Sequence, residues 1–379
     1  MKVLHLINTL STGGAEMHLL TLCRYLKRQN LQIVVVCLRE HVKDSRSLRA
    51  DFEQEDIRVI NLQADSRYDS LFLNRIARVL REERPDILHT HLPRADFAGA
   101  FARIVHPGLI WVCSVHAIYS EDWSGRWSLP IFNFLWRRAD VMLCISHAVR
   151  DWLVGRGVSP DKARVIHYGI EPEKFFRPKV NLRELWGLNN NAVIGSMGRL
   201  EPRKGHDVLI QAMSELCLRV PNARLLIAGH DPWGYGETLS RLIDRLGLGE
   251  RVRLVGFQTD AVSFLNALDV FAFASSSEGF GQVLVEAMAA GKPVVASRLS
   301  PLTEIAVDGD TGLLVGTGDA RAFASALIHL IKDTHRRDYM GLRGRHRVNE
   351  FFTAERMARQ TFALYEELEG YHHDQKAVV

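Results

Sequence analysis

The chain is poor in cysteine. Its 379 residues include 5, at Cys23, Cys37, Cys113, Cys144 and Cys217. They are scattered, odd in number and form no Cys-x-x-Cys pair, so neither a disulfide framework nor a zinc site is indicated. A reducing cytoplasm fits that usage. No apolar run approaches the length of a membrane-spanning helix. The first residues, Met1-Lys2-Val3-Leu4-His5-Leu6-Ile7-Asn8, pass directly into a strand-like run with no small-residue cleavage site, so no signal peptide is expected. A strong charge is missing as well. The 48 Lys and Arg stand against 44 Asp and Glu, a net +4 that is too small to argue for nucleic acid. The excess sits in residues 1–175, with 24 Lys and Arg against 20 Asp and Glu, and the remainder balances. It would suit an anionic membrane surface or a phosphorylated acceptor; an ordinary solvated surface accounts for it equally.

What is present is a soluble globular composition, 47% hydrophobic and 24% charged, in a chain long enough for two domains. Strand-like and helix-like stretches alternate. Val3–Ile7, Gln32–Leu38, Val59–Ile60, Ile87–Thr90, Ile110–Ser114 and Val141–Ile145 read as short buried strands. Helical spacing lies between them, as in Glu16–Arg28, Leu71–Arg81 and Ala95–Val105. The pattern restarts at Ala192–Met197, with later strands at Arg224–Ala228, Val252–Val255, Val270–Ala274 and Pro293–Ala296. This alternation predicts two doubly wound α/β domains with parallel sheets. Gly169–Pro178, with its two prolines, reads as the linker, which bounds the domains at 1–175 and 176–352. Phe351–Leu368 is a terminal helix and Tyr371–Val379 a frayed tail. Such sheets bind ligands beyond the carboxyl ends of their strands, so two of them can face each other across a cleft.

The chemistry concentrates in the loops at those ends. Glu278 and Glu286 stand eight residues apart in Ser277-Glu278-Gly279-Phe280-Gly281-Gln282-Val283-Leu284-Val285-Glu286. One falls on a strand-to-helix loop and the other about two turns into the helix. The glycines let a ligand approach the backbone, and a helix N-terminus favours an anion. Carboxylates beside an anion site suit a ligand with both hydroxyls and phosphate, as in a nucleotide sugar. A second loop, Gly198-Arg199-Leu200-Glu201-Pro202-Arg203-Lys204-Gly205-His206, follows the strand Ala192–Met197. Arg199 can fork onto phosphate oxygens and Lys204 adds a point charge, enough to neutralise a diphosphate without a metal. In isolation a solvated basic loop reads the same way. A third, Asn8-Thr9-Leu10-Ser11-Thr12-Gly13-Gly14-Ala15-Glu16, carries two glycines before a helix, yet it is neither a Walker A loop nor a dinucleotide fingerprint, and a tight turn is an equal reading.

Other features stay open. His89, His91 and His116 end N-terminal strands, where they could reach a substrate or serve the core. His89 and His91 have alternate spacing that could hold a metal, but no third ligand is evident. Asp308-Gly309-Asp310 resembles a cation-holding DxD, though its neighbours favour a turn. Trp123, Trp127 and Trp136, with Arg126, Arg137 and Arg138, could dock a helix on a bilayer or pack beneath it.

These loops in this order resemble the retaining GT-B glycosyltransferases of family GT4, also called glycosyltransferase group 1. The strongest portion runs from Gly195 to Val315. It holds Gly198-Arg199-Leu200, Lys204-Gly205, Leu254-Val255-Gly256-Phe257, the Glu278–Ala289 segment, Gly291-Lys292-Pro293, Glu304-Ile305 and Thr311-Gly312-Leu313-Leu314-Val315. Gly13-Gly14-Ala15-Glu16 and Ile145-Ser146-His147-Ala148-Val149 are similar to N-terminal family segments. The resemblance implies a GT-B fold, with a C-terminal helix (about 353–370) crossing back onto the first domain. It implies His116, Arg199, Lys204 and Glu278 as the catalytic set. Donor contacts would come from Gly13, Gly14, Arg199, Lys204, Gly256, Phe257, Glu278, Gly279, Phe280, Gly281 and Glu286, with Arg199 and Lys204 on the diphosphate and Glu286 on the ribose. No metal or cofactor is implied. The partners would be a nucleotide-diphosphate sugar, with uridine favoured, and a glycan or lipid-linked acceptor. A nucleotide-sugar epimerase and a non-catalytic nucleotide-sugar binding subunit are the alternatives. Two segments depart from the family pattern. Ile166-His167-Tyr168-Gly169-Ile170-Glu171 replaces a Pro-Asn-Gly segment, and Leu299-Ser300-Pro301-Leu302-Thr303-Glu304 lacks a Gly-Gly.

Overall fold

Near-continuous runs of Val, Ile and Leu become the central strands of two parallel sheets, each covered by helices on both faces. The computed structural model describes residues 1–40, 46–64, 72–119 and 128–377. Two compact units emerge: Met1–Gly169 with Ala354–Val379, and Ile170–Thr353.

The first unit carries a seven-stranded sheet. Its strands are β1 (Lys2–Ile7), β2 (Gln32–Cys37), β3 (Arg58–Asn61), β4 (Ile87–His91), β5 (Ile110–Val115), β6 (Val141–Cys144) and β7 (Ala163–Val165), in the order β3-β2-β1-β4-β5-β6-β7. All neighbouring pairs are parallel. The order reverses between β1 and β4. In that register His5 lies beside His89, and Ile7 beside His91. One face is closed by the helices Gly14–Lys27 and Ala354–Ala377, through Leu19, Cys23 and Leu26 of the first and Met357, Leu364 and Tyr365 of the second. The terminal helix runs on to Ala377, so residues 371–377 of the expected frayed tail are helical backbone, and Val378 and Val379 lie outside the described residues.

The second unit carries six strands: β8 (Ala192–Met197), β9 (Ala223–Ala228), β10 (Val252–Gly256), β11 (Val270–Phe273), β12 (Val294–Ser297) and β13 (Gly312–Val315). Their order is β10-β9-β8-β11-β12-β13, again all parallel, with the reversal between β8 and β11. Both sheets are therefore doubly wound and Rossmann-like. At each reversal the flanking helices leave toward opposite faces and open a crevice at the strand ends.

The terminal helix is tied to the first sheet by a polar bond as well as by packing. Tyr365 is fully buried and its hydroxyl lies 2.5 Å from His89 Nδ1, across 276 residues of sequence. Stranding a buried polar atom costs about 1–3 kcal/mol. Tyr365→Phe should therefore destabilise the first unit by about that amount with little change in volume. Urea titration followed by tryptophan fluorescence checks it; an unshifted midpoint would show that the bond contributes nothing.

Candidate functional site

In the second unit the loop after β8 and the loop after β11 meet at the strand-order reversal. The β8 loop makes a single 3-10 turn, Pro202–Lys204, and then enters the helix His206–Arg219 through Gly205. Gly205 sits at φ +66°, and a Cβ there would lie 2.1 Å from the carbonyl oxygen of Ala274. Only glycine lets the two loops approach this closely. They are then joined by hydrogen bonds. The Arg203 carbonyl accepts from the Ser276 backbone N–H at 2.8 Å and from the Ser275 hydroxyl at 3.0 Å. Arg203 Nη1 donates to the Ser277 carbonyl at 3.1 Å.

This junction places Lys204 against Glu278. Lys204 Nζ donates to Glu278 Oε1 at 2.5 Å, and both residues are buried. Around the pair, Arg203 Nη2 lies 2.6 Å and Arg199 Nη2 3.4 Å from Glu201 Oε1. Arg199 is half exposed and its guanidinium lies over the Trp233 ring at 5.3 Å. Three cations thus stand at one strand-end crevice against two carboxylates. Arg203 was not among the expected site residues, although it stands in the same loop; it is partly exposed and its guanidinium reaches both Glu201 and the Ser277 carbonyl.

The other expected residues of this unit distribute around the junction. Gly281 caps the helix Gln282–Ala289 at φ +108°, where a Cβ would meet the Leu302 side chain at 2.7 Å. Glu286 lies on that helix, half-buried, with Gln282 Nε2 donating to it at 2.9 Å. Burial pushes its carboxyl up to about 7, against the opposing effect of the Gln282 hydrogen bond. Phe280 is buried and packs near Phe352, so its side chain is core, while Gly279 beside it is partly exposed. Gly256 ends β10 with open space about it. Phe257 follows, half exposed, and stacks on His230 at 3.9 Å between centroids and 18° between planes. His230 was a second residue missed. Asp308-Gly309-Asp310 forms a turn before β13, with Asp308 held by Arg298 at 2.5 Å and Asp310 by Arg343 at 2.9 Å.

In the first unit Gly13 caps the helix Gly14–Lys27, and Gly14 faces open space. Thr9 Oγ1 donates to Glu16 Oε1 at 3.1 Å, and burial raises the Glu16 carboxyl despite that bond. Leu92, which opens the β4 crevice edge, sits at φ +74°, an uncommon conformation for leucine. His116, at the end of β5, is partly buried, and both its ring nitrogens are engaged. Nδ1 contacts the Tyr168 hydroxyl, and Nε2 lies 3.1 Å from His91 Nδ1. Burial lowers His116 to about 3, so the ring is neutral.

His89 and His91 belong to the core of the first unit. Both are fully buried on the sheet face beneath the terminal helix. His89 is held by Tyr365 and by Ser114 Oγ at 2.7 Å, and burial lowers both histidines well below their usual range. Strand register adds His5, the third imidazole that the sequence did not reveal. One ring nitrogen from each of His5, His89 and His91 lies within 4.8 Å of the others. Both ring nitrogens of His89 are bonded to Tyr365 and Ser114, and both of His91 to His5 and His116, so the cluster is held by hydrogen bonds. Trp136 is likewise core, donating to Asp96 Oδ2 at 3.0 Å, which removes it from any bilayer-facing surface. Trp123, Trp127 and Arg126 lie outside the described residues.

Residues 181–347 match the family model described as glycosyl transferases group 1, and residues 12–174 match the one described as glycosyltransferase family 4. The chain is 30% identical over 356 residues to the lipopolysaccharide core biosynthesis glycosyltransferase LpsE of Rhizobium meliloti, spanning 91% of this chain and 93% of that one. It is 27% identical over 365 residues to the capsular polysaccharide biosynthesis glycosyltransferase CapM of Staphylococcus aureus, spanning 91% and 90%. Among solved structures, Anabaena HepE in complex with UDP-glucose is similar at a TM-score of 0.86 and 25% identity, covering 97% of this chain and 100% of that one.

Breaking a buried ion pair from one side strands the other charge. Lys204→Ala and Glu278→Ala should each destabilise the second unit by about 3 kcal/mol, with the double variant losing clearly less than the sum. Denaturant unfolding of the three variants checks this; strict additivity would mean that the pair is not coupled.

Proposed function

This chain is a family 4 glycosyltransferase with the GT-B fold, and from that premise we propose that it moves a hexose-type sugar from a nucleoside-diphosphate donor to a glycan or lipid-linked acceptor with retention at the anomeric carbon. A UDP-sugar is the favoured donor, in line with the UDP and UDP-glucose complexes of HepE. Cell-envelope polysaccharide or glycolipid synthesis is the favoured setting, in line with the names of LpsE and CapM. The cytoplasm, with its reducing milieu, suits five free cysteines.

The carrying observation is the Lys204–Glu278 contact at the β8/β11 reversal, flanked by Arg199 and Arg203. A diphosphate entering this crevice competes with Glu278 for Lys204. As Lys204 and the arginines turn onto phosphate oxygens, Glu278 is freed to accept from the sugar hydroxyls. The site exchanges one anion for another and needs no metal to neutralise the donor. Cleavage of the anomeric C–O bond puts further negative charge on the leaving diphosphate, which the same cations stabilise. The acceptor oxygen attacks from the face the diphosphate leaves, and a departing phosphate oxygen takes the acceptor proton. Products are the glycosylated acceptor and the nucleoside diphosphate.

Glu286 accepts from the ribose hydroxyls, with Phe257, stacked on His230, beside the base. Gly279, Phe280 and Gly281 offer backbone to the sugar, and Gly13 and Gly14 line the junction of donor and acceptor. His116 faces the reacting sugar as a neutral ring, contributing position rather than acid–base chemistry. For a lipid-linked acceptor, peripheral contact with an anionic membrane would use the first unit. There Ile104 and Val105 on the helix Pro93–Val105, and Ile131 and Phe134 on the helix Ser128–Trp136, are exposed, with Arg138 over the Phe134 ring at 3.6 Å.

Three outcomes are expected. In a nucleotide-sugar panel with an acceptor-free control, wild type yields a glycosylated product, and Arg199→Ala with Lys204→Ala abolishes detectable transfer; full activity in that variant would overturn the clamp. Donor affinity should rise about tenfold between pH 6 and 8 as Glu286 ionises through its raised pKa, because ribose hydroxyls donate to the charged form. A nucleotide sugar has no phosphate titrating in that window, so Glu286→Gln should flatten the profile measured by calorimetry. Finally, Ile131→Ser with Phe134→Ser should weaken co-sedimentation with phosphatidylserine vesicles several-fold, and unchanged partitioning would exclude this face.

A further inference from the structure

The glycosyl-transfer chemistry leaves one buried feature of the first unit unused, a line of hydrogen-bonded rings. The Tyr168 hydroxyl contacts His116 Nδ1, His116 Nε2 lies 3.1 Å from His91 Nδ1, and His91 Nε2 lies 3.0 Å from His5 Nδ1. The line ends at His5 Nε2, which is buried and has no hydrogen-bond partner among the described residues. Four elements contribute: β1, β4, the end of β5 and the segment after β7.

We propose that His5 is a positioning residue that fixes, through His91, which nitrogen of His116 carries its proton.

A neutral imidazole has one N–H and one lone pair. In a line of such rings, the choice made at one end therefore propagates to the other. Two senses exist. If the Tyr168 hydroxyl donates to His116 Nδ1, then His116 Nε2–H donates to His91 Nδ1 and His91 Nε2–H donates to His5 Nδ1. His5 is then left with an N–H at Nε2, buried without an acceptor. In the opposite sense His5 Nδ1–H donates to His91 Nε2, His91 Nδ1–H donates to His116 Nε2, and His116 Nδ1–H donates to the Tyr168 oxygen. His5 Nε2 is then a bare lone pair. An orphaned buried N–H is rarer than an under-satisfied buried acceptor, so the second sense is the favoured one.

The other end agrees. Burial, and then the charge of the Glu16 carboxylate, hold the proton on the Tyr168 phenol, so that its oxygen can accept from His116 Nδ1–H. Charging the line is costly, since burial lowers His5 and His116 to about 3 and lowers His91 well below its usual range. His18, stacked on Tyr168 at 4.0 Å and edge-on to His116 at 5.6 Å, is buried and lowered in the same way, and His89 packs beside His5 and His91. The variable of this cluster is thus tautomeric sense, not charge. For turnover the inference rests on the reading that His116 faces the reacting sugar, because reversal of the line inverts the ring dipole at that end.

Long-range 1H–15N correlation on the full-length protein labelled at histidine nitrogens tests it. Wild-type His116 should be neutral and protonated at Nδ1; protonation at Nε2, or an imidazolium, overturns the proposal without any variant. Two substitutions of nearly equal shape then separate donor from acceptor at position 5. His5→Asn can place an amide N–H where Nδ1–H was, and should keep His116 in its wild-type form with near-normal turnover. His5→Asp places an acceptor there, as a buried carboxylate does beneath an imidazole in Asp–His pairs, and should move the His116 proton to Nε2. A folded His5→Asp protein with an unchanged His116 tautomer overturns the proposal. In UDP-glucose hydrolysis, His5→Asp should lower kcat about tenfold or more while KM stays within about twofold, the pattern of a misassigned tautomer. If the tautomer inverts and kcat does not change, the line of rings stands and the assignment of His116 to the sugar falls.

Discussion

Parallel strands all finish at one edge of their sheet, and the rest of this protein depends on that constraint. Every strand-to-helix loop of a unit is delivered to the same rim. Where strand order reverses, the helices on either side diverge and leave a gap that no helix fills. In the second unit that gap falls between β8 and β11, so residues more than seventy positions apart in sequence, Lys204 and Glu278, become partners. In the first it falls between β1 and β4, which draws His5 and His91 into one buried line.

The two gaps use burial differently. In the second unit it strengthens one ion pair, Lys204 with Glu278, beside the part-exposed Arg199 and Arg203, in an arrangement that an incoming anion can rearrange. In the first unit burial removes charge. Five histidines, His5, His18, His89, His91 and His116, are held neutral where a solvated imidazole would titrate near neutral pH. One unit is built to exchange ions, the other to keep ions out.

Much of this was legible in the sequence, and the exceptions have physical causes. Runs such as Ile33–Val36 and Phe271–Phe273 declare buried parallel strands because both faces are covered and no alternation is needed. β7 escaped notice because Ala163-Arg164-Val165 is a three-residue edge strand, whose central arginine turns out to meet Glu367 at 2.7 Å. The loop with Arg199 and Lys204 was legible from charge and from its place after a strand, yet the contacts of Arg203 with Glu201 and Ser277 follow from a 3-10 turn that spacing does not report. His89 and His91 were readable as strand residues. Their burial was not, since the cover over them, Tyr365, arrives from the other end of the chain. The third imidazole, His5, is a matter of register, which one strand's sequence cannot supply.

That late cover has a consequence for how the protein is made. Residues 1–169 of the first unit leave the ribosome before the second unit does, but the first unit's core includes Met357, Ala358, Leu364 and Tyr365. Until those emerge, one apolar face of the seven-stranded sheet has only half its cover, the helix Gly14–Lys27. The second unit, contiguous from Ile170 to Thr353, is complete before the first is. During synthesis the order of completion is therefore the reverse of the order of appearance, and the nascent chain carries an open, sticky half for most of its translation. A ribosome that stalls before Met357 emerges would hold a chain whose second unit is whole and whose first is a target for chaperones and proteases.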